Sequence, residues 1–573
     1  MSQSLRFSPP SISRLFAPLL LLLPFGVALA LPLVVSGAPL PAAVLQRPEL
    51  LAVTLAGALL RGNGRGTRSA RVLVGMAAGY LAGFALVDAG VEFIYARPFV
   101  PRIDIPMARS LIQLTIGPVG WLADVLTPLL VALLFALFFS LGTLLFRWLQ
   151  QLGGSGVSGS RHLLYLSVLL ATAGSLTLAW TGPLLPPGRS PLVVRGVNAW
   201  LLEPSLEVRA VPGLEENASE SATAREAEDA PDAASPSLRF PGILDRDIYI
   251  FAIEAYGYAT VSQEAISREL EPVRTRVEDT LAEKGYGVVT SYLRSPVAGG
   301  FSWLAEATFL TGQWIDSQAA FEGLYEAQLP SLTGYLQRGG YHTVTARPGT
   351  VHGSWPEGWE LYRFEQALVA YDGDFDYVGP WFSYVPITDQ FAVWATHEYI
   401  GNARSPGGAA VDRPVLAYYQ LVSSHTPFNR IPPIIEDWRE LGDGSVYLER
   451  EEEIATFDNT WTGGTELIEG YTTAISYVLR TITKYIDEQM HLDRSPIIII
   501  FGDHQAQRPI REQNAHLSVP IHIAARDESI LEGFRQRGFA SGMRSSEPPP
   551  HRDMSVFFPL FVEVANGPSR GAP

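Results

Sequence analysis

Hydrophobic and polar positions divide the 573-residue chain into two parts of different character. Up to about residue 185 it is rich in Leu, Ala and Val with few charges; beyond about 205 it is polar, aromatic and acidic. In the first part, runs near the roughly 20 residues that a bilayer-spanning helix needs occur at Leu15 to Val35, Val72 to Ala89, Trp121 to Phe146 and His162 to Trp180, with a shorter one at Pro48 to Leu60. The first run is followed by further runs rather than by a soluble chain, so it reads as an anchor and not as a cleaved secretory signal. The pattern predicts a polytopic α-helical membrane domain of about five spans over residues 1–185.

Residues 186–240 carry no sustained apolar period. From Glu203 to Phe240 they are dominated by Pro, Ala, Ser and acids, the composition of a solvated linker. From Asp247 onward, strand-like runs return: "DIYIFAIEAYG", "YGVVTSYL" from Tyr286, "HTVTA" from His342, "PVLAYYQLVSSH" from Pro414, "IIIIFG" from Ile497 and "VPIHIAAR" from Val519. Helical stretches such as Glu264 to Lys284 and Gly470 to Met490 separate them. This alternation predicts an α/β domain over 241–573 with a mostly parallel central sheet. Four isoleucines closed by Gly502 read as a strand buried on both faces, which puts Asp503 and His504 at its carboxyl end, the edge where ligands bind in open α/β sheets.

Arginines set the orientation. The loop with Arg61, Arg65, Arg68 and Arg71, and the one flanked by Arg147 and Arg161, are basic and belong inside, which leaves the C-terminal domain outside. A formal charge of −16 argues against a nucleic-acid partner. The absence of cysteine excludes disulfides, thiolate metal sites and a cysteine nucleophile.

Three strand ends carry polar groups: Glu254, His425, and Asp503 with His504. Between the first two, "SPVAGGFSWLAEATFLTG" sets Ser302 after the Gly299-Gly300 pair and at the start of a helical segment, where backbone N–H groups favour a phosphate or sulfate. A serine hydroxyl is a poor nucleophile at neutral pH, and a divalent cation lowers the pKa of a bound O–H by several units. Two carboxylates and an imidazole suit a zinc- or manganese-type ion, with magnesium a further option. Glu254, Asp503 and His504 with Ser302 make such a set. Each taken alone has an ordinary explanation as a cap or a surface group; their joint placement on strand ends favours a site.

Other residues compete for these roles. Thr260 and Ser262 compete as nucleophiles but also read as caps of the following helix. His352, Arg294 and Arg430 could neutralise a substrate anion, Asp389 and His397 could seed a second metal, and Trp355, Trp359 and Trp381 could line a sugar or lipid site. Asp88, Glu92 and Asp124 lie near predicted span ends, where interfacial solvation explains them.

"IYIFAIEAYG", "GGFSWLAEATFLTG", "SSHTPF" and "FGDHQ", in this order, resemble the alkaline phosphatase and sulfatase superfamily. With several N-terminal spans, the chain most resembles its membrane-anchored branch, the lipoteichoic acid synthases and periplasmic phosphoglycerol transferases. The resemblance covers about residues 245 to 525 and implies an alkaline phosphatase-like fold and one divalent metal held by Glu254, Ser302, Asp503 and His504, with Ser302 the nucleophile. It also implies substrate contacts from His425 and Trp355, to which the readings of His352 and Arg430 as anion partners add. The implied activity is a phosphoglycerol- or phosphoethanolamine-type transfer, or hydrolysis, of a phosphate ester. The implied setting is the extracytoplasmic side of a bacterial inner membrane, with a membrane lipid donor and an envelope glycan or lipid acceptor. The chain departs from the synthases in having Ser rather than Thr as the nucleophile, and Glu357 where they have Arg. A sulfatase is the alternative enzyme, but "SWLAE" lacks the Pro and Arg that formylglycine formation requires. A degenerate member that binds an envelope lipid or partner is the non-enzymatic alternative, and it predicts that some of the four residues are displaced in space.

Overall fold

The computed structural model describes residues 240–567, apart from 244, 328, 351–360, 371–372, 383–384, 458–464, 512–515 and 544–548, together with 83–91 and 99. The predicted spans thus lie outside the described residues, except that 83–91, overlapping the end of Val72 to Ala89, is helical. The 186–240 linker lies outside them too, save Phe240. Among the described residues no helix is long and apolar enough to cross a membrane. The chain divides into two compact units, Met1–Glu203 and Pro204–Pro573. In the first, the buried Asp88 accepts a hydrogen bond from the Phe99 N–H at 2.8 Å.

The second unit runs β1 (Ile248–Ile253), α1 (Glu264–Glu283), β2 (Gly287–Arg294), α2 (Ser302–Thr311), α3 (Gln318–Ala327), α4 (Leu332–Arg338), β3 (His342–Arg347), β4 (Gln366–Val369), α5 (Asp389–Arg404) and β5 (Val415–Leu421). It continues with β6 (Arg430–Ile431), β7 (Ala455–Thr456), α6 (Thr465–Glu488), β8 (Ile497–Gly502), β9 (Ser518–Ala525), α7 (Glu528–Arg535), β10 (Ala540–Ser541), β11 (His551–Asp553) and α8 (Phe557–Ala565). The main sheet has the order β10-β2-β9-β8-β1-β5-β3-β4, with β11 on β2; β6 and β7 pair separately.

The sheet is mixed, with five parallel strand pairs and three antiparallel ones among the described residues. Strands β4-β3-β5-β1-β8 are parallel as expected, but β9 is antiparallel to both β8 and β2. Among the described residues no crossover helix separates β8 from β9, and β9 runs back from the edge where β8 ends. A fully buried run such as "VPIHIAA" carries no sign of its direction, and β4, only four residues long, escaped the pattern. Strand β5 also stops at Leu421, leaving Val422 to His425 as a loop.

Helices cover both faces of the sheet. Tyr485 of α6 meets Tyr249 and Phe251 of β1 and Tyr419 of β5 edge-on, each at 6.3 Å between ring centroids. On the opposite pleat, Phe501 of β8, in register with Ala252, stacks at 3.9 Å on Phe309 of α2, which stacks in turn on Phe557 of α8. In α1, Ile266, Leu270, Val273, Val277 and Leu281 recur at helical spacing and are buried, which is why that stretch is a core-facing helix. Ile497 to Ile500 are buried between β1 and β9, as their unbroken apolar run requires.

Candidate active site

Because β1, β5 and β8 run parallel, their carboxyl ends share one edge, and each delivers its polar residues there. Asp503 extends the β1–β8 ladder by one bond, its N–H donating to the Ile253 carbonyl at 3.2 Å, and Glu254 extends β1 onto the Leu421 carbonyl at 2.9 Å. Ser302 arrives from the other side. Gly299, Gly300 and Phe301 all have positive φ, so the chain turns sharply before α2 begins at Ser302.

The four residues meet. The Ser302 hydroxyl donates to Glu254 Oε2 at 2.8 Å and lies 3.2 Å from His504 Nε2. His504 Nε2 is 3.0 Å from Glu254 Oε1 and 3.7 Å from Asp503 Oδ2. Donor atoms of Glu254, Asp503 and His504 all lie within 4.8 Å of one another, and all three residues are buried.

Each donor is aimed by a bond on its far side. His504 Nδ1 lies 2.9 Å from the Gln505 carbonyl, which holds a proton on Nδ1 and turns Nε2 toward the site. Asp503 Oδ1 accepts from the N–H groups of Ala255 at 2.9 Å and His504 at 2.6 Å, leaving Oδ2 for the site. The backbone around Glu254 is held by the Ser424 hydroxyl on the Glu254 carbonyl at 2.6 Å and the Tyr471 hydroxyl on the Ala255 carbonyl at 2.8 Å. Ala255 sits at φ +58°, a conformation that such surrounding contacts over-determine.

The charges are unequally shared. Burial pushes the Asp503 carboxyl up and the adjacent Glu254 charge adds to it. Burial acts on Glu254 in the same direction, but His504, His425 and the Ser302 hydroxyl together outweigh it and hold this carboxyl low. His504 is raised against the effect of burial by Asp503 and Glu254. Two carboxylates, one imidazole nitrogen and a hydroxyl oxygen converge here, a donor set that fits a divalent cation of the zinc or manganese type, whose charge would take the place of the proton on Nε2.

His425 follows β5, its Nδ1 2.6 Å from the Thr426 carbonyl, and lies within electrostatic reach of Glu254. Arg430 is engaged elsewhere: it donates to the Trp381 carbonyl at 3.0 Å, pairs with Glu451 at 3.7 Å and lies over the Phe382 ring. Trp355, His352, Glu357 and Trp359 lie outside the described residues. Thr260 donates its hydroxyl to the Gly257 carbonyl and does not cap α1, whose N-cap residue is Gln263 with no side-chain cap bond. Asp389 accepts the N–H groups of Val422 and Ser423, and so fixes the loop leading to His425, while His397 stacks on His491 at 4.6 Å; the two do not form a common site. Arg294 pairs with Asp553. Ser424 and Tyr471 were not singled out by sequence reasoning, and Asp389 only as a possible ligand of a second metal, since nothing in a lone Ser, Tyr or helix-start Asp distinguishes a contact to a distant backbone.

Forty-six chains of solved structures match this one, among them an alkaline phosphatase superfamily protein from Vibrio parahaemolyticus. The chain is similar to alkaline phosphatase superfamily structures. The lipoteichoic acid synthase LtaP from Listeria monocytogenes matches at 16% identity and a TM-score of 0.35, over 53% of this chain and 71% of that one. The integral membrane lipooligosaccharide phosphoethanolamine transferase A from Neisseria meningitidis matches at 11% identity and 0.44, over 90% and 95%. The phosphoglycerol transferase GacH from Streptococcus pyogenes, in complex with sn-glycerol-1-phosphate, matches at 13% and 0.36, over 64% and 91%. No protein-family model and no curated protein matches the sequence. Likeness this remote names no substrate, so function has to be read from the site's own residues.

Proposed function

We propose that the chain is a metal-dependent enzyme of the alkaline phosphatase superfamily that transfers or hydrolyses phosphate esters through a phospho-serine at Ser302. The observation that carries this reading is the convergence of the Ser302 hydroxyl on Glu254 and His504 Nε2, at 2.8 and 3.2 Å, beside Asp503. Glu254, Asp503, His504 and the Ser302 oxygen would hold one divalent ion, Zn²⁺ or Mn²⁺ by donor type. When bound, that ion supplies Lewis-acid stabilisation of negative charge and lowers the pKa of a neighbouring hydroxyl.

The chain's own groups supply the rest. The Ser302 O–H is directed at Glu254, which orients the oxygen and accepts its proton. Ser302 opens α2, so the positive end of the helix dipole favours the incoming phosphate. The Ser302 oxygen forms its bond to phosphorus as the bond to the donor's alcohol breaks. His425 holds a phosphate oxygen or protonates that leaving alcohol. Water or an acceptor hydroxyl then takes the phosphoryl group from Ser302. With the apolar N-terminal part as a membrane anchor, the donor is a membrane lipid and the acceptor an envelope glycan or lipid, in a phosphoglycerol- or phosphoethanolamine-type transfer at the outer face of a bacterial inner membrane. The gathered site weighs against a degenerate binding protein, whose residues would be displaced.

The test uses the full chain, solubilised and stripped of metal, then supplied with Mn²⁺, Zn²⁺ or Mg²⁺. Turnover of nitrophenyl phosphodiester, phosphomonoester and sulfate ester is compared. Metal-restored cleavage of a phosphate ester supports the reading, and the diester-to-monoester ratio narrows the substrate class. A folded chain that neither binds metal nor turns over any of the three refutes it.

A further inference from the structure

Helix α2 carries Ser302 yet has no burial pattern to fix its roll. Every residue from Leu304 to Thr311 is buried, so the helix is covered on all sides and the hydrophobic effect alone leaves its rotation about the axis undetermined. Its entry is tied at Gly299, whose N–H donates to the Gln505 carbonyl at 2.7 Å, but Gly300 and Phe301 then turn at positive φ and no side chain caps the helix start. Farther along, Phe309 is stacked between Phe501 and Phe557. On the face that carries Ser302, an ion pair supplies direction. Glu306, one turn after Ser302 and therefore on the same face, is the single charged residue of α2, and it pairs with Arg347 at the end of β3.

That pair is buried, with side chains 2% and 3% exposed, and bidentate: Arg347 Nη1 donates to Glu306 Oε2 at 3.1 Å and Nη2 donates to Oε1. The guanidinium sits 5.9 Å from the ring centroids of both Phe364 and Tyr418, which confine its plane. A buried ion pair adds little net stability over apolar residues of the same volume, because desolvation offsets the attraction. What the forked geometry adds is direction.

We propose that Glu306 and Arg347 are positioning residues that set the roll of α2, and through it the aim of the Ser302 hydroxyl at Glu254 and His504. This rests on the reading of Ser302 as nucleophile. Neither residue touches the reacting atoms; a misplacement of about 1 Å is enough to cost on the order of 100-fold in rate.

The test compares the full wild-type chain with Glu306→Met/Arg347→Met, Glu306→Gln and Arg347→Lys, reading kcat, KM, thermal midpoint and divalent-ion affinity. The double variant is expected to keep its midpoint near or above wild type and to hold the ion within about threefold, since Glu254, Asp503 and His504 lie on other elements, while kcat falls about 100-fold with KM nearly unchanged. Arg347→Lys keeps the charge but loses the fork, and is expected to lose roughly 10-fold in kcat. A folded double variant with kcat within about threefold of wild type overturns the proposal. Should the double variant not fold, unchanged kcat in Glu306→Gln and Arg347→Lys overturns it equally. A wild type with no Ser302-dependent turnover is a different failure, that of the functional reading itself.

Discussion

Gly502 and Tyr256 leave no room for a side chain between them: a Cβ added to Gly502 would fall 1.9 Å from the Tyr256 carbonyl oxygen. The last residue of β8 and the loop after β1 are therefore in backbone contact, and this contact brings Asp503 to the Ala255 N–H and Glu254 to His504. The requirement for glycine in the "FGDH" segment is thus one of space.

Gly502→Ala is expected to destabilise the chain by about 2 kcal/mol or more, since neither neighbour is a flexible side chain that can move aside. It should also abolish tight divalent-ion binding. Gly401→Ala is the control: it lies in α5 with nothing within 4 Å of its would-be Cβ, and should stabilise by roughly 0.5–1 kcal/mol. Denaturant unfolding and metal titration of the two variants check both claims, and equal effects would refute the steric account.

Adding Zn²⁺ or Mn²⁺ to the stripped chain should raise its unfolding free energy by about 2.7 kcal/mol at an ion concentration 100 times the dissociation constant. The gain should vanish in Glu254→Gln and Asp503→Asn, which remove ligand charge without changing shape. Thermal melts with and without ion decide this. A gain that survives both substitutions would place the ion elsewhere.

Ser302→Ala should leave the fold and most of the metal affinity intact but reduce turnover on the order of 10⁴-fold or more, as loss of a nucleophile does. Intact-mass measurement after rapid mixing with a phosphodiester should show a phosphorylated wild-type chain and an unmodified variant. Turnover at the wild-type rate in Ser302→Ala would remove the covalent mechanism.

The gathered residues were legible because each sits at a punctuated end of a strong pattern: Glu254 closing "IYIFAIE", Ser302 after two glycines, Asp503 and His504 after four isoleucines. What was not legible involves partners that no local pattern links. Glu306 and Arg347 are 41 positions apart, and Tyr471 reaches Ala255 across 216. Arg430 looked like an anion partner by charge alone, but charge does not say that Trp381 and Glu451 engage it. The direction of β9 was hidden for a related reason, since a strand buried on both faces reads the same either way.

His522 provides the pH test. It lies on β9 opposite Thr290, whose hydroxyl is 2.7 Å from its Nδ1, and the Tyr256 hydroxyl is 3.2 Å from its Nε2. Burial, and after it the charge of Arg274, pushes its pKa down to about 3. In the unfolded chain the ring titrates near 6.5. Above about pH 6.5 both states hold it neutral and its contribution to stability is complete. Between about 6.5 and 3 the unfolded chain binds a proton that the native state refuses, so stability falls as pH falls, by up to about 1.4 kcal/mol per unit. His522→Gln keeps a polar side chain that cannot titrate. From pH 7.5 to 4.5, wild type should therefore lose roughly 2–3 kcal/mol more unfolding free energy than His522→Gln. Urea titrations at pH 7.5, 5.5 and 4.5 measure the difference, and parallel profiles for the two proteins would show that His522 is not held neutral.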